Sequence, residues 1–226
     1  MKRSKINQSI KKMEAMIVEY KFALPPFLSW TPEEWQRKGH EYDEIRECML
    51  GWDVTDYGMG NFEELGIALI TLRNGKLNDK VYNKPYAEKL IFAEEGQVSP
   101  MHFHWKKQED IINRGGGNLI FKLYNADKDE KLADTDVRLL QDGRRYSVKA
   151  GSEVILKPGE SLTFYPYLYH EFTVQPGTGP VLLGEVSMVN DDTTDNRFEV
   201  ELGRFPTIEE DEVPYRLLCT EYPKAK

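Results

Sequence analysis

The chain has 226 residues, enough for one domain with a substantial core, and carries a formal charge of -8. Its basic residues form no dense cluster beyond the Met1–Lys12 stretch, so a phosphate-binding stripe for nucleic acid is excluded. The two cysteines, Cys48 and Cys219, make no disulfide framework, and no apolar run is long enough for a signal peptide core or a membrane span; a cytoplasmic protein is expected.

Ile6, Ile10, Met13, Ile17 and Tyr20 recur at three- and four-residue intervals and predict an amphipathic helix that Pro25-Pro26 ends. Thr31-Pro32-Glu33-Glu34 reads as a second helix start, with Thr31 as cap, Pro32 in the first turn and Glu34 as capping-box partner. Trp35, Tyr42, Ile45 and Met49 are expected on its buried side or on that of a following short helix. From about Asp53 short apolar runs alternate with Gly, Asn, Asp and Pro turns. The predicted strands are Leu65–Arg73, Val81–Phe92, Gln97–His104, Gly117–Tyr124, Asp136–Leu140, Arg144–Val148, Glu153–Leu156, Ser161–Tyr165, His170–Gln175 and Val181–Val189. Such a series after a helical start predicts an antiparallel sandwich or barrel, with the tail after Arg204 wrapping outside.

Chemistry concentrates at Gly96–Gly117. His102 and His104, two apart on a predicted strand, project from one face and can converge on one ion. Glu109 follows after a turn, and His170 arrives from a distant strand. Three imidazoles and a carboxylate leave two places in an octahedral shell for water or substrate oxygens. Three of the chain's 4 histidines fall on this pattern; the fourth, His40, is read as structural.

The spacing Gly96-x5-His102-x-His104-x4-Glu109-x6-Gly116 is that of the first cupin motif. Gly159 and His170 resemble the second, although Pro166 is displaced by one, the usual Gly before the His is missing, and Val174 stands where Asn is common. The resemblance implies a mainly β cupin barrel, here a single domain over 1–226: a helical extension at 1–52, the barrel at 53–203 and a tail at 204–226. The N-terminal helices, the block His102–Gly117 and Gly184–Asp192 further resemble the bacterial D-lyxose isomerases. That family implies a homodimeric, manganese-dependent aldose–ketose isomerase acting on free sugars, D-lyxose with D-xylulose and D-mannose with D-fructose. Co2+, Zn2+ or Fe2+ are the alternative ions.

Carbonyl migration through a cis-enediol needs an acid/base pair near the ion. Lys107, between ligands His104 and Glu109, and Glu185, inside the apolar run Val181–Val186, are the candidates. The alternatives are a solvated Lys107 and an outward, salt-bridged Glu185. Asn190, Asp191, Asp192, Asp195 and Arg197 are read as a hydrophilic loop or sugar contacts. Trp105, Tyr165, Tyr167 and Tyr169 are expected to wall the pocket, and Gly115-Gly116-Gly117 to make a tight turn. Two rival functions use the same ligands, an iron-dependent oxygenase and a non-catalytic sugar-binding cupin.

Overall fold

The computed structural model describes residues 1–189, 191 and 193–225. Among these residues the helices are α1 (Arg3–Glu19), α2 (Pro32–Trp35) and α3 (Asp43–Glu47), with two 3-10 turns between them. The strands are β1 (Gly51–Thr55), β2 (Ile67–Arg73), β3 (Tyr86–Ala93), β4 (Val98–Phe103), β5 (Glu109–Gly116), β6 (Leu119–Ala126), β7 (Leu132–Ala133), β8 (Val137–Gln141), β9 (Arg144–Val148), β10 (Glu153–Leu156), β11 (Ser161–Phe164), β12 (Leu168–Val174), β13 (Val181–Met188) and β14 (Arg197–Phe198). They pair as one sheet in the order β1-β2-β3-β13-β5-β11-β8-β9 and a second in the order β10-β6-β12-β4-β14, with β7 on β6. Every strand pair is antiparallel, and the two sheets curl around one core as the cupin barrel requires.

The larger sheet is buried on both faces at its β1-β2-β3-β13 end. Its inner face sends Ile67, Leu69, Ile91 and Leu183 into the barrel core against Phe121, Leu123 and Phe172. Its outer face sends Trp52, Val54, Ala68, Ile70, Leu90, Phe92 and Leu182 against Ile6, Ile10, Met13 and Ile17 of α1. Two-sided burial is why β2 opens on the apolar run Ile67–Ile70 rather than an alternation. Each large aliphatic side chain removed from water in this way contributes about 1.5–3 kcal/mol.

Several boundaries differ from the sequence reading. Helix α1 stops at Glu19, before the prolines, because Lys21 takes a left-handed conformation (φ 55). The Phe22 and Lys21 amides then close onto the Ile17 and Val18 carbonyls at 3.0 Å, a Schellman cap. Tyr20 is 41% exposed instead of joining the apolar face. The capping box at Thr31 is present, with Glu34 N–H donating to Thr31 Oγ1 at 3.2 Å and Thr31 N–H to Glu34 Oε2 at 2.8 Å. Of the four residues expected to be buried there, only Trp35 is fully so; Tyr42, Ile45 and Met49 are half-buried. Strand β1 at Gly51–Thr55 is absent from the sequence reading, whose first strand starts at Leu65; the Trp52 indole donates to the Leu28 carbonyl at 2.9 Å. The tail runs beside α1, where the buried Arg3 guanidinium pairs with Glu210 and Glu221.

Strand β5 is absent from the sequence reading. Its inward positions carry Glu109 and Asn113 beside Ile111, so the apolar period that marks a strand is broken by the residues that matter. The three glycines are not a free turn. Gly115 and Gly116 end β5 opposite Leu182 and Val181, beyond a bulge that Arg114 occupies. Gly116 has φ 95, and a Cβ there would lie 2.1 Å from the Pro180 carbonyl oxygen. Gly116→Ala is expected to cost about 2 kcal/mol or more through backbone strain alone, lowering the melting temperature by roughly 4–8 °C. An unchanged melt would show that this backbone can relax.

Candidate metal centre and active site

The site forms where the two sheets face each other. On the smaller sheet, His102 of β4 lies directly opposite His170 of β12, and His104 follows the end of β4. The ligand atoms of the three imidazoles lie within 4.8 Å of one another. Glu109, the first residue of β5, enters from the larger sheet. Its Oε1 is 3.4 Å from His104 Nε2 and 3.2 Å from His170 Nε2. The chain turns after His104, as the spacing predicts, and the turn delivers Glu109 onto the larger sheet, from which its carboxylate reaches the imidazoles. The ring of Phe164 stacks on His170, centroids 4.5 Å apart.

Backbone carbonyls set the tautomers. His102 Nδ1 bonds to Pro100 O at 2.7 Å, His104 Nδ1 to Asp195 O at 2.7 Å, and His170 Nδ1 to Leu168 O at 2.9 Å. A carbonyl only accepts, so each Nδ1 carries the proton and each Nε2 keeps a lone pair for the site. Burial, then the neighbouring imidazoles of His170 and His104, push His102 well below the ordinary histidine value. Burial and Lys107 push His104 down as well. For Glu109 burial acts upward, but the Lys107 ammonium outweighs it and holds the carboxyl well below its usual range. At neutral pH these donors therefore stand in the deprotonated forms that bind a cation. His104 Nε2 is buried without a hydrogen-bond partner among the described residues. A buried acceptor left so is costly, and a divalent ion satisfies it. The three imidazoles can hold a metal ion.

A buried charge chain adjoins the imidazoles. Lys107 Nζ lies 2.6 Å from Glu109 Oε2 and 3.1 Å from Glu185 Oε1. Glu185, on β13, also faces Lys89 of β3 directly across the ladder, Nζ to Oε1 3.5 Å. Ser187 Oγ donates to the same Oε1 at 3.0 Å. Lys89, Lys107, Glu109 and Glu185 are all at most 4% exposed, so Lys107 is not solvated and Glu185 does not point outward. Lys89 and Ser187 escape the sequence reading. A lysine inside the run Tyr86–Ala93 is the available signal, since a buried ammonium demands a carboxylate partner.

Asp195 is a positioning residue. Its carboxylate accepts the Lys106 and Lys107 amides at 3.1 and 3.0 Å, while its carbonyl holds His104. Arg197 instead turns to Glu130, and Asp191 organises its own loop through Thr193 and Thr194. Asn190 and Asp192 lie outside the described residues. The expected aromatic wall is corrected too. Tyr165 and Tyr167 are 42% and 48% exposed, while Trp105 and Tyr169 bond to Glu130. Tyr57, Phe172 and Phe198 line the cavity in their place. Aromatics next to a ligand in sequence alternate outward on the strand, and the wall comes from other strands. His40 stays apart from the site, paired with Asp43 at 2.8 Å.

Comparison with known proteins gives the family. The model of the D-lyxose isomerase family matches residues 1–222. The D-lyxose/D-mannose isomerase of Serratia proteamaculans is 49% identical over 223 residues, covering 98% of each chain. That of Escherichia coli O157:H7 is 48% identical with the same coverage. Among solved structures, the L-ribose isomerase of Acinetobacter sp. DL28 in complex with L-ribose superposes with a TM-score of 0.62 at 13% identity, over 92% of this chain and 98% of that one. This last likeness is one of fold. With the family's model spanning the barrel, its helices and most of the tail, the chain belongs to the D-lyxose isomerase family and is an aldose–ketose sugar isomerase.

Proposed function

We propose that the protein interconverts D-lyxose with D-xylulose, and D-mannose with D-fructose, as a manganese-dependent isomerase working through a cis-enediol. His102, His104, Glu109 and His170 would hold the ion, and Glu185 and Lys107 would move the proton. The observation that carries this reading is the buried chain Lys89–Glu185–Lys107–Glu109, which ends against three imidazoles with Nε2 facing inward.

When bound, the cation supplies polarisation of the two substrate oxygens and stabilises the negative charge that develops between them. The rest falls to the chain. Glu185, whose Oε1 is gripped by Lys89, Lys107 and Ser187, accepts the C2 proton and returns it to C1. Lys107 offers an ammonium donor to the oxygen that gains charge, and Glu109 fixes its direction. The lining of Ile67, Leu69, Ile91 and Ile111 keeps the pocket dry enough for these interactions to count.

The test is isomerisation of D-lyxose under nitrogen by EDTA-treated protein, alone and with manganese, cobalt or zinc restored. Ketose formation that returns with manganese and ignores the absence of air is expected. Turnover undiminished by the chelator, with no metal in the protein, would remove the metal from the reading. No ketose from lyxose or mannose with any of the three ions would remove these substrates.

A further inference from the structure

The cavity at the imidazoles holds only about 70 Å³ of free space. Pockets that take small molecules usually begin near 300 Å³. A second cavity of about 250 Å³ lies beside it, lined by Thr71, Asn74 and Asp53 among others. Arg204 lines both cavities. Its guanidinium donates to Asp53 Oδ2 at 2.6 Å, with the two side chains 13% and 5% exposed. Asp53 comes from β1, and Arg204 from the segment after β14. The Arg204 backbone is anchored, because its carbonyl accepts the Thr55 hydroxyl at 2.6 Å, and that hydroxyl in turn accepts the Tyr57 amide at 2.9 Å. A buried ion pair on an anchored backbone therefore stands where the two spaces meet.

Resting on the isomerase reading, we infer that Arg204 and Asp53 bind the far hydroxyls of the open-chain sugar, with the second cavity receiving the end of the chain. The reacting carbons lie against the imidazoles and Glu185. The remaining carbons of a pentose or hexose exceed the space there and reach the Arg204–Asp53 junction. A guanidinium and a carboxylate side by side offer donors and acceptors to neighbouring hydroxyls, and Thr71 and Asn74 continue the polar lining. The walls thus sort sugars by chain length, and binding energy from the far end serves the reacting end.

The experiment compares Arg204→Gln and Asp53→Asn with the wild type, all loaded with manganese, on D-mannose, D-lyxose and the three-carbon aldose D-glyceraldehyde. In both variants kcat/KM is expected to fall at least tenfold on mannose and lyxose, mainly through KM. The fall on glyceraldehyde, which has no far hydroxyls to lose, should stay under threefold. Should Arg204→Gln fail to fold, Arg204→Lys keeps a charge beside Asp53 and loses the forked donor, and the same ordering of losses is expected. Equal losses on all three aldoses, or no loss, would overturn the inference while leaving the isomerase reading standing. A wild type inactive on every aldose would remove that reading, and this inference with it.

Discussion

Glu185→Gln is expected to lower turnover of D-lyxose by roughly 10²–10⁴-fold, the usual contribution of a positioned proton-transfer group. The Gln side chain keeps the shape and a hydrogen-bonding oxygen for Ser187 and Lys107 but cannot take a proton from carbon. The loss should fall on kcat, with manganese content near that of the wild type, since Glu185 contacts Lys107, Lys89 and Ser187 and none of the imidazoles. Stability is a separate matter. Two buried ammonium groups face this carboxylate, and taking one partner from a buried ion pair typically costs about 3–5 kcal/mol. A lower melting temperature is therefore expected alongside the kinetic defect, and rates should be measured where the variant is fully folded. Turnover within threefold of wild type would exclude Glu185 as the base and shift attention to Lys107.

His170→Ala is expected to abolish tight manganese binding and with it turnover. This imidazole sits opposite His102 across the ladder, stacks on Phe164 and approaches Glu109, so its loss takes one of three nitrogens from the site. Metal analysis after dialysis gives the first readout. The second is thermal: an ion at a hundred times its dissociation constant stabilises the native state by about 2.7 kcal/mol. For a chain of this size that is roughly a 5–10 °C rise in melting temperature. The rise should be present in the wild type and absent in the variant. His40→Ala, an exposed histidine paired with Asp43, should keep it. A full metal complement and an intact rise in His170→Ala would dismiss this histidine as a ligand.

Both expectations rest on residues legible in the amino-acid sequence alone, and the reason is chemical. Imidazoles are scarce, and two of them at alternate positions of a strand point to one side whatever the rest of the barrel does. Glu185 is legible because a carboxylate within Val181–Val186 conflicts with the apolar run around it. Lys89 carries the same conflict, but its partner lies on the neighbouring strand, where local sequence does not reach. The succession of most strands along the chain is equally readable, since turn residues punctuate them. Strand β5 is not, because the residues that build the site occupy its inward positions and erase its apolar rhythm.

Local sequence by itself picked out the three histidines and the carboxylate that the structure brings together, the amphipathic helix α1, the capping box at Thr31 and most boundaries of the strands it predicts. Each depends on side-chain identity over a few residues, where spacing and geometry are rigidly linked. Only the tertiary structure decided that Glu109 reaches the imidazoles from the opposing sheet, that Asp195 holds His104 through its carbonyl, and that Lys89 and Lys107 share Glu185. The same holds for Arg204, which reads as the start of a tail and meets Asp53 from β1 beside the cavity at the imidazoles. These pairings join segments 78 to 151 residues apart in three of the cases. Such contacts are set by strand order and register, which local periodicity does not encode.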